Sequence, residues 1–218
     1  NYSVGIVYNG RWYDEGAQIQ PMRFRPMTAD TRASLRFCAW NGLSARCVNT
    51  AMILRSRYLK RASVMSILDA SFPFASNVYF HKLFGRRGLS ESQMLVDEDR
   101  IVGFLEALQK LVTDMRAPTM MLSIKRFRGA QKSLSMSGAG YLVAVDCYRN
   151  HRTDDFLHRL DELMLEVGGQ PNLSKDSRLP EDIARMSIAS FSEFERDLFD
   201  YDSERTMRSE LSARLGLL

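Results

Sequence analysis

The chain has 218 residues, 45% apolar and 26% charged, the make-up of one large or two small folded domains with a core of their own. No run approaches the roughly 20 apolar residues needed to span a bilayer, and three widely spaced cysteines without a CxxC argue against a disulfide framework or zinc site and for a reducing compartment. The net charge of +4 hides a split: residues 1–90 hold 13 Lys and Arg against 4 Asp and Glu (a net of +9), while the rest hold 17 against 22 (a net of −5).

Such a basic first segment suits an anionic neighbour, whether a phosphate, a lipid headgroup, nucleic acid or a partner domain. With Asn1 in place of methionine and no signal peptide in view, the chain is expected to begin inside a longer one. Tyr2 to Tyr8 (YSVGIVY) reads as a strand, Asn9-Gly10 as a hairpin turn, and a second strand follows from Arg11. Residues 26–45 have little periodicity and read as a loop. A helix is predicted over 46–60, burying Val48, Met52, Ile53 and Leu59. Residues 74–84 suggest a shorter aromatic helix or turn, stopped by Gly85-Arg86-Arg87-Gly88. These elements are grouped as an N-terminal segment, 1–90, ahead of a second domain, 91–218.

From there the pattern sharpens. Ser92 to Val96 is a strand, and Asp97-Glu98-Asp99 are acids suited to a helix N-terminus. The next helix sets Ile101, Phe104, Leu105, Leu108, Leu111, Val112 and Met115 on one face. Thr119 to Phe127 and Tyr141 to Tyr148 are strands. Thr153 with Asp154-Asp155 caps a second helix, whose inner face runs from Phe156 to Val167 and which stops at Gly168-Gly169. Pro171 to Ser174 supplies a last short strand, and 181–218 reads as terminal helices packing through Phe191, Phe194, Leu198, Met207, Leu211 and Leu215. The succession β-α-β-β-α-β predicts an α+β fold, a ferredoxin-like antiparallel sheet with helices on one face, extended by the N-terminal strands and C-terminal helices.

Several chemistries lack a signature. His81, His151 and His158 have no metal-ligand spacing, so no metal site is expected, and neither GxGxxG nor GxxxxGK[ST] is present. RNA binding would call for stacked rings on the third strand, where SGAGYLVA (137–144) offers Tyr141 alone; nucleic acid is not favoured. The informative stretch is LSKDSR (173–178), which sets Lys175, Asp176 and Arg178 where a strand ends, a usual place for polar chemistry. Lys125 lies on a strand of the same sheet, so the two ammonium groups are expected to converge with Gln93. Two cations and an amide suit an anionic or hydroxylated ligand, or an electron-rich ring that gains charge during reaction.

From about Leu83 onward the chain resembles the substrate (cap) domain of FAD-linked oxidoreductases of the vanillyl-alcohol-oxidase type, nearest to the decaprenylphosphoryl-β-D-ribose oxidase and sugar-lactone oxidase group. The segments that carry it are LFGRRG (83–88), SQMLV (92–96), SIKRFRG (123–129), GYLVAVD (140–146), LDELMLEVGG (160–169), LSKDSRLPEDIARM (173–186) and the final SARLGLL. The resemblance implies a secondary alcohol of a sugar or sugar-like ring oxidised by hydride transfer to FAD, which a domain absent from this chain would mainly bind. It implies that Lys175 lies against the flavin and stabilises the charge that hydride arrival leaves there, with Asn172 beside the cofactor. Gln93 and Lys125 would orient the substrate against Phe127 as an apolar wall, and Asp176 and Arg178 would hold the turn that aims Lys175. The chain departs from the family pattern at Leu142 and Ala144, where relatives carry asparagine and cysteine, at Asn172, commonly tyrosine, and in a tail without the usual Asp-Pro and Ser-Asp pairs.

The expected partners are the FAD-binding domain or subunit and a small-molecule sugar substrate, free or lipid-linked, in the cytoplasm, with or without peripheral contact with a membrane. Residues 26–60 interleave arginines with apolar side chains, which fits either contact with a membrane surface or a mobile basic loop. The alternative from another class is a non-catalytic ferredoxin-like interaction or RNA-binding module.

Overall fold

The structure, a computed structural model, describes residues 5–11, 36–58, 84–130 and 133–217. The chain divides into two compact units, Asn1–Gly88 and Leu89–Leu218.

In the first unit a helix, α1, runs from Gly42 to Tyr58. It begins four residues earlier than expected because Asn41 caps it. The Asn41 Oδ1 accepts from the amides of Leu43 at 2.9 Å and Ser44 at 3.1 Å, and Ser44 Oγ accepts from the Asn41 amide at 2.9 Å. The predicted inner face is corrected: α1 buries no residue, Met52 and Ile53 are half-buried and Val48 is exposed, while Leu59 lies outside the described residues. Trp40 packs against Phe84 with the two rings tilted at 59° and their centroids 5.7 Å apart. Gly85, at φ +70°, lets the chain pass close to the Phe37–Cys38 backbone. The strand expected from Tyr2 to Tyr8 is not formed over residues 5–8, and Val7 and Tyr8 are exposed. With no partner strand among the described residues of this unit, the segment's backbone groups have no ladder to join. The rest of that hairpin, the first part of the 26–45 loop and residues 74–83 lie outside the described residues.

The second unit is α+β. Its elements are β1 (Leu89–Asp97), α2 (Ile101–Asp114), β2 (Thr119–Gly129), β3 (Gly138–Tyr148), α3 (Thr153–Glu166), β4 (Gln170–Pro171), α4 (Glu181–Ser187), α5 (Phe191–Tyr201) and α6 (Glu210–Arg214). The strands form one four-stranded antiparallel sheet in the order β2-β3-β1-β4. Alternation along each strand sorts its residues between two faces. Met94, Val96, Val143, Val145 and Cys147 join one core with Ile101, Phe104 and Leu108 of α2 and Phe156, Leu157, Leu160 and Met164 of α3. Fully burying each large apolar side chain contributes about 1.5–3 kcal/mol. The C-terminal helices close the same core through Ile183, Phe191 and Leu215, whereas Met207 and Leu211 stay exposed.

Two helix starts differ from expectation. Asp97 ends β1 and Glu98 and Asp99 form the turn before α2, whose N-cap, Arg100, has no side-chain cap. The acids cannot reach the first turn's amides because the strand runs to within three residues of the helix; Glu98 instead meets Arg126 at 3.3 Å. At α3, Thr153 is the first helical residue, and its Oγ1 accepts from the Asn150 amide at 2.8 Å while donating to Tyr148 O at 3.0 Å. The α3 stop is as the two glycines predict. Gly168, at φ +65°, donates to Leu165 O at 2.9 Å, and Gly169 to Met164 O at 2.8 Å, a Schellman closure.

Candidate functional site on the open face of the sheet

Because β4 is only Gln170–Pro171, the LSKDSR stretch is a turn rather than a strand end. Asn172 builds it: its amide donates to Gln93 O at 2.8 Å, extending the ladder by one bond. Its carbonyl accepts from the amides of Lys175 at 3.0 Å and Asp176 at 3.2 Å, and its Oδ1 from Ser174 at 3.1 Å. The far side is anchored in the protein. Asp176 Oδ1 accepts from the amides of Arg178 at 2.7 Å and Leu179 at 2.6 Å. Arg178 forks onto both oxygens of Asp161 on α3, at 2.6 and 2.8 Å, and Arg214 donates to the carbonyls of Asp176 and Leu179.

This turn overhangs the sheet face opposite α2 and α3, open only in the sense that those helices pack on the other side, since Gln93, Leu95, Ala144 and Asp146 on it are buried. Gln93 pairs across to Ala144 and that to Ser123; Leu95 to Leu142 and that to Lys125; Asp97 to Gly140 and that to Phe127. All five residues singled out in the sequence therefore belong to one face, but they are not one cluster. Gln93, 9% exposed, accepts on its Oε1 from Asn172 Nδ2 at 2.5 Å, and Lys175 reaches Glu91 with Nζ 3.6 Å from Oε2. Lys125 is exposed and pairs with Leu142, four residues along β3 from Asp146, or roughly 13 Å at the usual rise of a strand. The expected convergence of the two ammonium groups is thus not formed. Phe127, half-buried, lies further along still.

What sequence reasoning missed is a pair of carboxyl groups. Glu91 and Asp146 are direct partners across β1 and β3 on the open face, with Lys175 against Glu91. Asp146 is 7% exposed, and among the described residues its carboxyl has no hydrogen-bond partner. Burial, followed by the like charge of Glu91, pushes Asp146 up to about 7, against the opposing pull of the Lys175 ammonium. A signal existed: Glu91 has the parity of Gln93, and Asp146 is the one charged residue in an otherwise apolar strand segment. One step along, Cys147 faces the core, and burial, then Asp146, push its thiol up to about 12.

Two concavities lie elsewhere, one among Leu198, Phe199, Asp202, Met207 and Leu217, the other outside α2 and α3 among Met115, Asp155, His158 and Glu162. Neither is lined by this face. Among the described residues no three His, Cys, Asp or Glu side chains gather as a metal site would require, and no helix is long and apolar enough to cross a membrane. No protein-family model matches the chain, and no curated protein matches it at a significant level.

Proposed function

We propose that this chain is the substrate (cap) domain of an FAD-dependent oxidoreductase that oxidises a secondary alcohol of a sugar or sugar-like substrate. The observation that carries the reading is the grouping of Lys175, Gln93 and Asn172 on the open sheet face, beside Glu91 and Asp146. Within it the sheet is the ferredoxin-like one, supported by the strand order read from the other edge, β4-β1-β3-β2.

The donor set fits a flavin edge. Lys175 supplies an ammonium, its side chain 47% exposed and paired with Glu91, on a turn whose backbone is tied down at both ends. Flavin, when bound, supplies the hydride acceptor, with FAD held mainly by a separate domain or subunit. Lys175 offers positive charge where the reduced ring gains negative charge, a placement that lowers the barrier because no reorientation is needed. Gln93 and Asn172 lock each other's amides, leaving donors to orient substrate hydroxyl groups. Lys125, lying apart, would meet the far end of a longer substrate, such as the phosphate of a lipid-linked sugar, with Phe127 as the wall of that end.

The test is a yellow complex of the chain with FAD and the domain that carries it, followed by stopped-flow reduction of the flavin by sugar alcohols. Lys175→Ala should slow reduction by about 10²–10³-fold while leaving the urea midpoint of the chain where it was. Failure to form the complex, or a variant that reduces flavin at the wild-type rate, overturns the assignment.

A further inference from the structure

The carboxyl pair on the open face has no part in what the sequence resemblance implies, and its arrangement is specific. Glu91 and Asp146 stand directly opposite each other across an antiparallel pair, where like charges repel most strongly. Asp146 is 7% exposed, and among the described residues it accepts no hydrogen bond that would fix it in the charged form. Among the described residues, the charged groups facing Asp146 are Glu91 from β1 and Lys175 from the turn after β4, while β2 sets the uncharged Met121 beside it. An oxidation of an alcohol must also dispose of the hydroxyl proton, and neither Lys175, already an ammonium, nor the amides of Gln93 and Asn172 can accept it.

We propose that Asp146 is the proton acceptor of this site, with Glu91 as the like-charged neighbour that sets its basicity and Lys175 as the counterion that lets it ionise. The proposal rests on the flavoenzyme reading above and adds to it a catalytic residue. Asp146 would take the O–H proton of the alcohol as its carboxylate, and flavin, when bound, would supply the acceptor for the carbinol hydrogen and its electron pair, so that an alcohol would go to a ketone with proton and hydride both placed. A base poised near neutrality is what such a transfer calls for.

The experiment has two arms. In the first, the chain is used as it stands, without flavin, and its side-chain carboxyl groups are titrated by carbon-13 NMR. Asp146 should titrate near pH 7; Glu91→Gln should move its midpoint down and Lys175→Met should move it up. A midpoint in the ordinary carboxylate range, or one indifferent to both substitutions, overturns the proposal whatever the flavin does. In the second, flavin reduction in the assembled protein should rise with pH through the same midpoint. Asp146→Asn should lower it by about 10²–10⁴-fold with the bound-flavin spectrum unchanged, and Glu91→Gln should shift the acid limb to lower pH. Unimpaired reduction in the Asp146→Asn protein removes this proposal alone. A chain that takes up no flavin removes the premise, and the assigned role with it.

Discussion

Asp146 and Cys147 are neighbours in sequence, and burial raises the proton affinity of both, yet they face opposite sides of the sheet. The carboxyl group shares its side with a lysine and a glutamate and so titrates in a useful range; the thiol sits in the core and stays protonated. Cys38 and Cys47, in the first unit, are exposed. A thiol reagent at pH 8 should therefore label Cys38 and Cys47 in the native chain and reach Cys147 only in denaturant, as peptide mass mapping would show; labelling of Cys147 in the native protein would contradict its core position. At this scale the sequence marked Lys175, Gln93 and Asn172, because they lie on or beside short, well-punctuated segments. Glu91 and Asp146 escaped notice because their pairing depends on the register between two strands some fifty residues apart. The same register separates Lys125 from Lys175: membership of one sheet was legible, but the row on which each residue falls was not.

Among the elements, the turn from Asn172 to Leu179 holds the site together. It is fixed to the sheet by Asn172 and to α3 by the Arg178–Asp161 fork, in which the Asp161 side chain is 1% exposed. Asp161→Ala would leave the Arg178 guanidinium buried without its main partner, a loss of about 3–5 kcal/mol, measurable as a lower urea midpoint. Replacing both residues by Leu and Met of similar bulk should restore most of that stability. It should not restore the fixed position of Lys175, since the turn would keep its apolar packing but lose its directional tie. Sequence punctuation located this turn correctly through Gly168-Gly169, whose backbone requirement is local. Capping by Asp97, Glu98 and Asp99 was misjudged because the strand before α2 runs longer than its apolar core suggests, drawing Asp97 into the sheet. For α1, periodicity located a helix, while its inner face proved unburied; periodicity states which side could pack, not whether anything packs there.

For the molecule as a whole, the second unit carries a single core spanning the sheet, α2, α3 and the three C-terminal helices, and Asp146 is charged against that core's stability. Because its folded pKa of about 7 lies above the ordinary 3.8, the folded state holds the proton more tightly. Its contribution to stability is therefore fully present below pH 4 and is lost as pH rises through 7. Asp146→Asn should gain stability relative to the natural chain over that window, by about 4 kcal/mol at pH 8, in urea titrations run at several pH values. A difference that stays flat with pH would show that the carboxyl group is not so perturbed. The α+β class and the element order of this unit were readable, since its helices are long and strongly periodic. The first ninety residues, basic and weakly patterned, gave the sequence little to declare.

The outermost strand has one further consequence. Among the described residues β2 has β3 as its one neighbour in the sheet, with no strand on its other rim, and Lys125, Arg126 and Arg128 on it are all exposed. Two copies meeting rim to rim would crowd six cations along a shared ladder. The strand thus carries its own deterrent against edgewise stacking, and a lysine first noticed as a possible ligand contact also helps to keep the chain from adding to itself.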